Sequence, residues 1–223
     1  MSNCTMNSYE MKRDILNFSK KLSEGVNKST SKFVMDMQYG LAKGGSVLIS
    51  NIARSLDENI KLNYTIDRLC DNLVNLYQEE KEMIWNNYLN EVSKNIEIKE
   101  KEDVIKIVRL YLSRWRIEEH FRGKKQEYDF ENMRVRTLES MNNLNMMLTV
   151  HLSHIAILAD NMNKKLLTIK IIYASKSLKD KAIVWLSQIA RGIKEILKYA
   201  HNGIKEWQEI EVRNKCKQLS LKL

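Results

Sequence analysis

VRLYLSRWRIEEHFRGKKQEYDFENMRVRTLESMNNLN, residues 108–145, carries Tyr111, then Arg114 after two residues, Glu118 after three more and Lys125 after a further six. On a helix advancing about 100° per residue, these side chains fall within an arc of roughly 60°. Arg122 lies beside them, so one face presents a phenol, several cations and one carboxylate. Gly123 precedes the lysine and can loosen the helix there. Such a face suits phosphate chemistry. The planar guanidinium of Arg114 can grip a pair of phosphate oxygens, and Lys125 adds a point charge. Tyr111 can donate to phosphate or stack on a sugar or base, and Glu118 is a hard oxygen ligand for Mg²⁺. By residue type alone, a lone carboxylate among cations reads first as an ion-paired surface residue.

The order and spacing of these residues match a Tyr-Arg-Glu-Lys signature that resembles the insertion-sequence DDE transposases, in the group named after the fourth insertion sequence. The text around it, YLSRWRIEEHFRGKKQ followed by DFENMRVRTLES and NNLN, is similar to that group as well. So is the N-terminal text MKRDILNFSKKLS, KFVMDMQYGLAKGGSVLISNIARSL and TIDRLCDNL; together the likeness covers most of residues 10–75 and 101–220. The resemblance implies an RNase H-like core, two aspartates from its sheet, a catalytic glutamate from a helix, and Mg²⁺ as the cofactor. Glu118 stands where that glutamate is expected, as catalytic residue and metal ligand. Tyr111, Arg114 and Lys125 stand where transposon-end phosphates are handled. Arg122 joins them on the same face. Arg134 and Arg136, with Trp115, belong to the wider similar stretch; the two arginines complete the candidate DNA-binding set without a separate role.

The middle of such a transposase is missing. The family carries its aspartates on strands between the N-terminal helices and the glutamate helix, a stretch on the order of a domain. Here about 25 residues separate Tyr77 from Asp103. They hold no Val/Ile-rich runs bounded by turns. Asp67 and Asp71 fall on an expected helix, and Asp103 reads as a helix-start residue. Two-metal phosphoryl transfer needs carboxylates converging on cations about 4 Å apart, and a single glutamate cannot hold that pair. The expected chain is therefore a truncated transposase that binds DNA without cutting it.

Composition agrees with a mostly α fold. The sequence has no proline and seven glycines, too few for the turns of a sheet protein, while 43% of residues are hydrophobic. Two regions are expected: a helical N-terminal part, 1–100, and a helical remnant of an RNase H-like core, 101–223, its sheet largely lost. The first holds 13 Lys+Arg against 14 Asp+Glu, the second 24 against 14. A basic half beside a neutral one suggests a polyanion partner, or simply a well-solvated lysine-rich surface. Three scattered cysteines, Cys4, Cys70 and Cys216, fit a reducing compartment rather than a disulfide scaffold. With no apolar leader and no membrane-length apolar run, a cytoplasmic protein with no membrane partner is expected.

Apolar spacing predicts a helix over about Ser8–Ser23, closed by Gly25, and a second one capped by Ser29 or Thr30. A helical pair over Val47–Leu56 and Tyr64–Tyr77, with Asp57, Glu58 and Asn59 in its turn, is compatible with a helix-turn-helix or with any helical hairpin. Met83, Ile84 and Tyr88 can continue a helix, and Asn95–Lys99 a short strand. Further helices are expected over Glu102–Glu127, Asn132–Met162, Ser177–Lys198 and Gly203–Val212. Without a sheet to pack on, Leu110, Trp115, Ile117 and Phe121 need other partners. Leu144, Met147, Leu148, Leu152, Ile155 and Leu158 offer the surface for a rebuilt bundle.

His151 and His154 stand three apart on this apolar helix, a spacing that suits a shared metal, but packing or hydrogen bonding is the expected use. The basic amphipathic stretch SLKDKAIVWLSQIARGIKEIL reads as a bundle helix. Besides a DNA-binding relic, the sequence admits a regulator that occupies transposon ends or forms mixed dimers with an intact transposase, a homodimer, or a purely structural helical protein.

Overall fold

The computed structural model describes residues 3–93, 121–160, 170–171, 185–198, 200 and 203. These residues are mostly helical, and no strand occurs among them. The short strand expected at Asn95–Lys99, most of the helix expected at Glu102–Glu127 and all but Gly203 of the last expected helix lie outside the described residues.

Helix α1 (Asn3–Leu22) buries Ile15, Phe18 and Leu22, the stripe that its sequence spacing predicts, and Met11 with them. Gly25 follows at φ +86°, a conformation that a Cβ would strain. Helix α2 (Lys28–Gly44) starts earlier than expected. Its cap is Asn27, whose side-chain oxygen accepts from the Thr30 N–H at 2.9 Å. Glu80 selects this cap from across the bundle, accepting from the Asn27 side chain and, at 2.9 Å, from the Thr30 hydroxyl. Gly45, left-handed at φ +57°, ends the helix by donating to the Leu41 carbonyl.

Ten of the 17 residues of α2 are buried, which makes it the central helix. Helix α3 (Ile49–Leu56) crosses it closely: a Cβ on Gly40 would collide with Ile52. Helix α4 (Leu62–Val74) follows after a polar turn and buries Leu69 and Leu73, with Ile66 packed partly against the core. It stops short of the expected Tyr77, and helix α5 (Gln78–Ser93) begins directly after. On α5 it is Ile84 that is buried, while Met83 stays exposed.

The described part of the next helix, α6, covers residues 121–128. A 3₁₀ turn at Phe130–Asn132 and a non-helical run to Thr137 follow. The expected helix start at Asn132 is therefore corrected. Helix α7 runs Leu138–Asp160, and Thr137 caps it by accepting from the Ser140 N–H at 3.1 Å. Leu144, Met147, Leu148, Leu152, Ile155 and Leu158 are all buried, so this apolar surface is in use in the helical core. Helix α8 (Trp185–Leu197) is the described part of the expected Ser177–Lys198 helix.

Helices from both halves of the chain share one hydrophobic core. Helix α2 packs on α1, α3, α7 and α8, and α4 packs on α7. Buried hydrogen bonds stitch the same contacts. Ser8 Oγ donates to the Ile196 carbonyl at 2.8 Å, Gln38 Nε2 to Met147 at 3.1 Å and Asn143 Nδ2 to Leu73 at 2.6 Å. Arg68 of α4 reaches Asp36 of α2 at 2.6 Å and Glu58 at 2.9 Å. Burial raises the Asp36 carboxyl above the usual range, more than Arg68 lowers it. Burial acts the same way on Glu58, but bonds from Thr65 and Arg68, with the charges of Arg68 and Lys32, outweigh it and pull the group down.

Candidate nucleic-acid interface

Tyr111, Arg114 and Glu118 lie outside the described residues, as does Trp115. The other candidates, Arg122, Lys125, Arg134 and Arg136, are described, and all are exposed. Helix α6 continues through Gly123 without a break, which separates two neighbouring lysines by face. Lys125 points to solvent and pairs with Glu131 at 2.6 Å. Both of those side chains are more than half exposed, so the pair is worth little and can exchange for a phosphate. Lys124 is turned inward and is 4% exposed.

The run after the 3₁₀ turn alternates. Met133 and Val135 pack against the core, while Arg134 and Arg136 face water. The two arginines therefore lie on the solvent side of a non-helical run that bends at Arg136 and Thr137. Neither arginine makes a hydrogen bond or ion pair among the described residues. Their guanidinium forks are open to an oxyanion. Arg122 and Lys125, three apart on α6, are neighbours on one helix surface.

The outer face of α4 has a different sign. Asn63, Tyr64, Asp67 and Asp71 are exposed on α4, while its one cation, Arg68, is spent inside on Asp36 and Glu58. An outer face carrying Asp67 and Asp71 repels a phosphate backbone.

The two histidines of α7 have separate partners. His151 Nε2 shares a hydrogen bond with the Tyr128 hydroxyl at 3.0 Å, and its Nδ1 is buried without a partner among the described residues. Burial, with a smaller contribution from nearby His154, pushes the His151 imidazole down to about 3. Burial also pushes the Tyr128 phenol up, helped by the charge of Glu127, so it keeps its proton. His154 Nε2 meets Asp14 of α1 at 2.8 Å, and its ring stacks on Phe18 at 4.3 Å. Hydrogen bonding and packing account for both rings.

Among the described residues, no group of three or more His, Cys, Asp or Glu side chains is placed to share a metal ion. None of their helices is long and apolar enough to cross a membrane. A shallow hollow of about 400 Å³ between α5 and α7 is lined by Gln78, Lys81, Glu82, Trp85, Asn86 and Met146, none of them a candidate site residue. Phe121 remains 54% exposed.

Sequence reading missed Lys124. Lysine is ordinarily solvent-facing, and the sole signal was its spacing of four from Tyr128, which puts the two on one helix face. No protein-family model, curated protein or solved structure matches this chain, so the transposase resemblance stands on the quoted residues alone.

Proposed function

We propose that this chain is a truncated insertion-sequence transposase that binds DNA through Arg122, Lys125, Arg134 and Arg136 and has lost the capacity to cut it. The observation that carries the reading is the non-helical run Met133–Thr137. It presents two open guanidinium groups to solvent while its alternate residues anchor in the core. Two forks held on the solvent side of one short segment suit phosphates of a nucleic-acid backbone. The net charge of +9 supplies a favourable long-range field. The outer face of α4 takes no part, because its exposed charges are Asp67 and Asp71. Loss of cutting follows from the sequence: Glu118 has no pair of strand-borne aspartates to complete a two-metal centre.

The test is binding to a labelled duplex of random sequence between about 50 and 200 mM salt. Wild-type affinity is expected to fall steeply with salt. The double variant Arg134→Ala/Arg136→Ala is expected to bind more weakly, with a log–log slope shallower by about 1.8, the change for two phosphate contacts. Equal affinity and slope would remove these arginines from the interface. Incubation of the same duplex with Mg²⁺ is expected to leave it intact, and cleavage would overturn the loss of catalysis.

A further inference from the structure

Helix α6 carries the exposed pair Arg122 and Lys125, and within its described residues 121–128 few apolar side chains hold its orientation. Of residues 121–128, only Lys124 and Tyr128 are buried, and Phe121 is 54% exposed. Both buried side chains end in polar atoms directed at α7. Lys124 Nζ donates to Asn145 Oδ1 at 2.8 Å and to Thr149 Oγ1 at 2.9 Å. Tyr128 meets His151, and its backbone carbonyl accepts from the Val47 N–H at 2.8 Å. A further tie runs to α8, from Arg191 to Glu127 at 2.9 Å.

The Lys124 site is an unusual one for a cation. Among the described residues the ammonium has no carboxylate within ion-pair distance. It has two neutral acceptors and the faces of Phe121 and Phe130, whose ring centres lie 5.9 and 5.6 Å away. Burial lowers the affinity of this amine for its proton. An apolar side chain would fit such a layer at less cost, because burying a charge without a counter-ion is unfavourable. What the lysine adds is direction: two donors aimed at acceptors one helical turn apart on α7 fix the rotation and height of α6.

We propose that Lys124 is a positioning residue for the cationic face of this protein, setting the register in which Arg122 and Lys125 meet a polyanion while touching none itself. The inference rests on the DNA-binding reading and deepens it. A lysine retained for stability and one retained for register respond differently to Lys124→Met, which keeps the length and removes the charge. Loss of a stabilising contact lowers the melting temperature and the affinity together. Loss of a register device leaves the fold as stable or more so and weakens binding alone.

The experiment measures thermal unfolding and binding to a labelled random duplex for the wild-type chain, Lys124→Met, Lys125→Met and Thr149→Val. Lys124→Met is expected to melt no lower than wild type and to bind about five- to tenfold more weakly, with an unchanged salt slope. Lys125→Met, which removes a contact, is expected to flatten that slope by about 0.9. Thr149→Val keeps the charge and deletes one acceptor, and is expected to weaken binding at an unchanged slope. It carries the test if Lys124→Met fails to unfold cooperatively. Undiminished affinity in Thr149→Val or in a folded Lys124→Met overturns the proposal, and so does a melting temperature that falls in step with affinity. A flattened slope in Lys124→Met would make Lys124 a contact instead. Wild-type protein that binds no duplex at low salt removes the DNA reading and this inference together, whereas failure of this inference alone appears only in the variants.

Discussion

His151 is folded into a place where its charged form has no support. Its ring is 1% exposed, its Nδ1 has no partner among the described residues, and its Nε2 is engaged by a phenol that burial keeps protonated. The folded imidazole titrates at about 3, against about 6.5 in an unfolded chain. A group whose folded value is depressed contributes stability that is complete above the unfolded value and is lost as pH falls below it. The window therefore opens near pH 6.5 and extends down toward 3. By pH 5.5 the unfolded state gains roughly 1–2 kcal/mol from protonating this one ring. His151→Gln removes the titration and keeps a polar side chain. Urea unfolding at pH 7.5 and 5.5 is expected to show wild type losing that much more stability than the variant between the two values. Parallel losses would mean that the folded ring accepts a proton freely.

Helix ends are where local chemistry competes most evenly, and α2 illustrates it. The run Asn27-Lys28-Ser29-Thr30-Ser31 offers several good caps in succession, and apolar spacing points to Ser29 or Thr30 rather than Asn27. Glu80, some fifty positions away, binds both Asn27 and Thr30 and so selects the first. Asn27→Ala is expected to lower the melting temperature by about 2–8 °C, from a cap worth about 1–2 kcal/mol. Ser29→Ala, at an exposed position one residue into the helix, is expected to change stability by less than about 0.5 kcal/mol. Differential scanning calorimetry of the two variants separates them; equal melting points would place the cap elsewhere. The same competition hid the start of α7, because Asn132–Thr137 contains no proline or glycine to stop a helical reading. Asp129 in the left-handed region at φ 53° breaks the chain there, and Thr137 restarts it. Helix interiors were far more legible. Met11, Ile15, Phe18 and Leu22 on α1, and Leu144 to Leu158 on α7, follow a period that only a one-sided burial explains. Of the candidate site, exposure of Arg122, Lys125, Arg134 and Arg136 followed from charge. The inward turn of Lys124 did not, since it depends on acceptors that α7 supplies from Asn145 and Thr149.

The charge of this chain divides sharply near residue 100, but its packing does not. The central helix α2 packs against α1 and α3 from the first half of the chain and against α7 and α8 from the second. Removing either half would uncover Phe33, Val34, Met37 and Leu41, or else Leu144, Met147 and Leu148, each worth about 1.5–3 kcal/mol on burial. The buried bonds Ser8–Ile196, Gln38–Met147 and Asn143–Leu73 would also lose a partner. Two segments that rely on each other in this way unfold together. Urea unfolding followed by far-ultraviolet circular dichroism and by tryptophan fluorescence is expected to give one coincident transition. Leu148→Ala, at a fully buried position facing the shared core, is expected to lower its midpoint by the equivalent of about 2–5 kcal/mol without splitting it. Two resolved transitions, with only the second moved by Leu148→Ala, would instead mean that residues before 100 hold themselves together without α7, and that the shared core is an adhesion between independent folds.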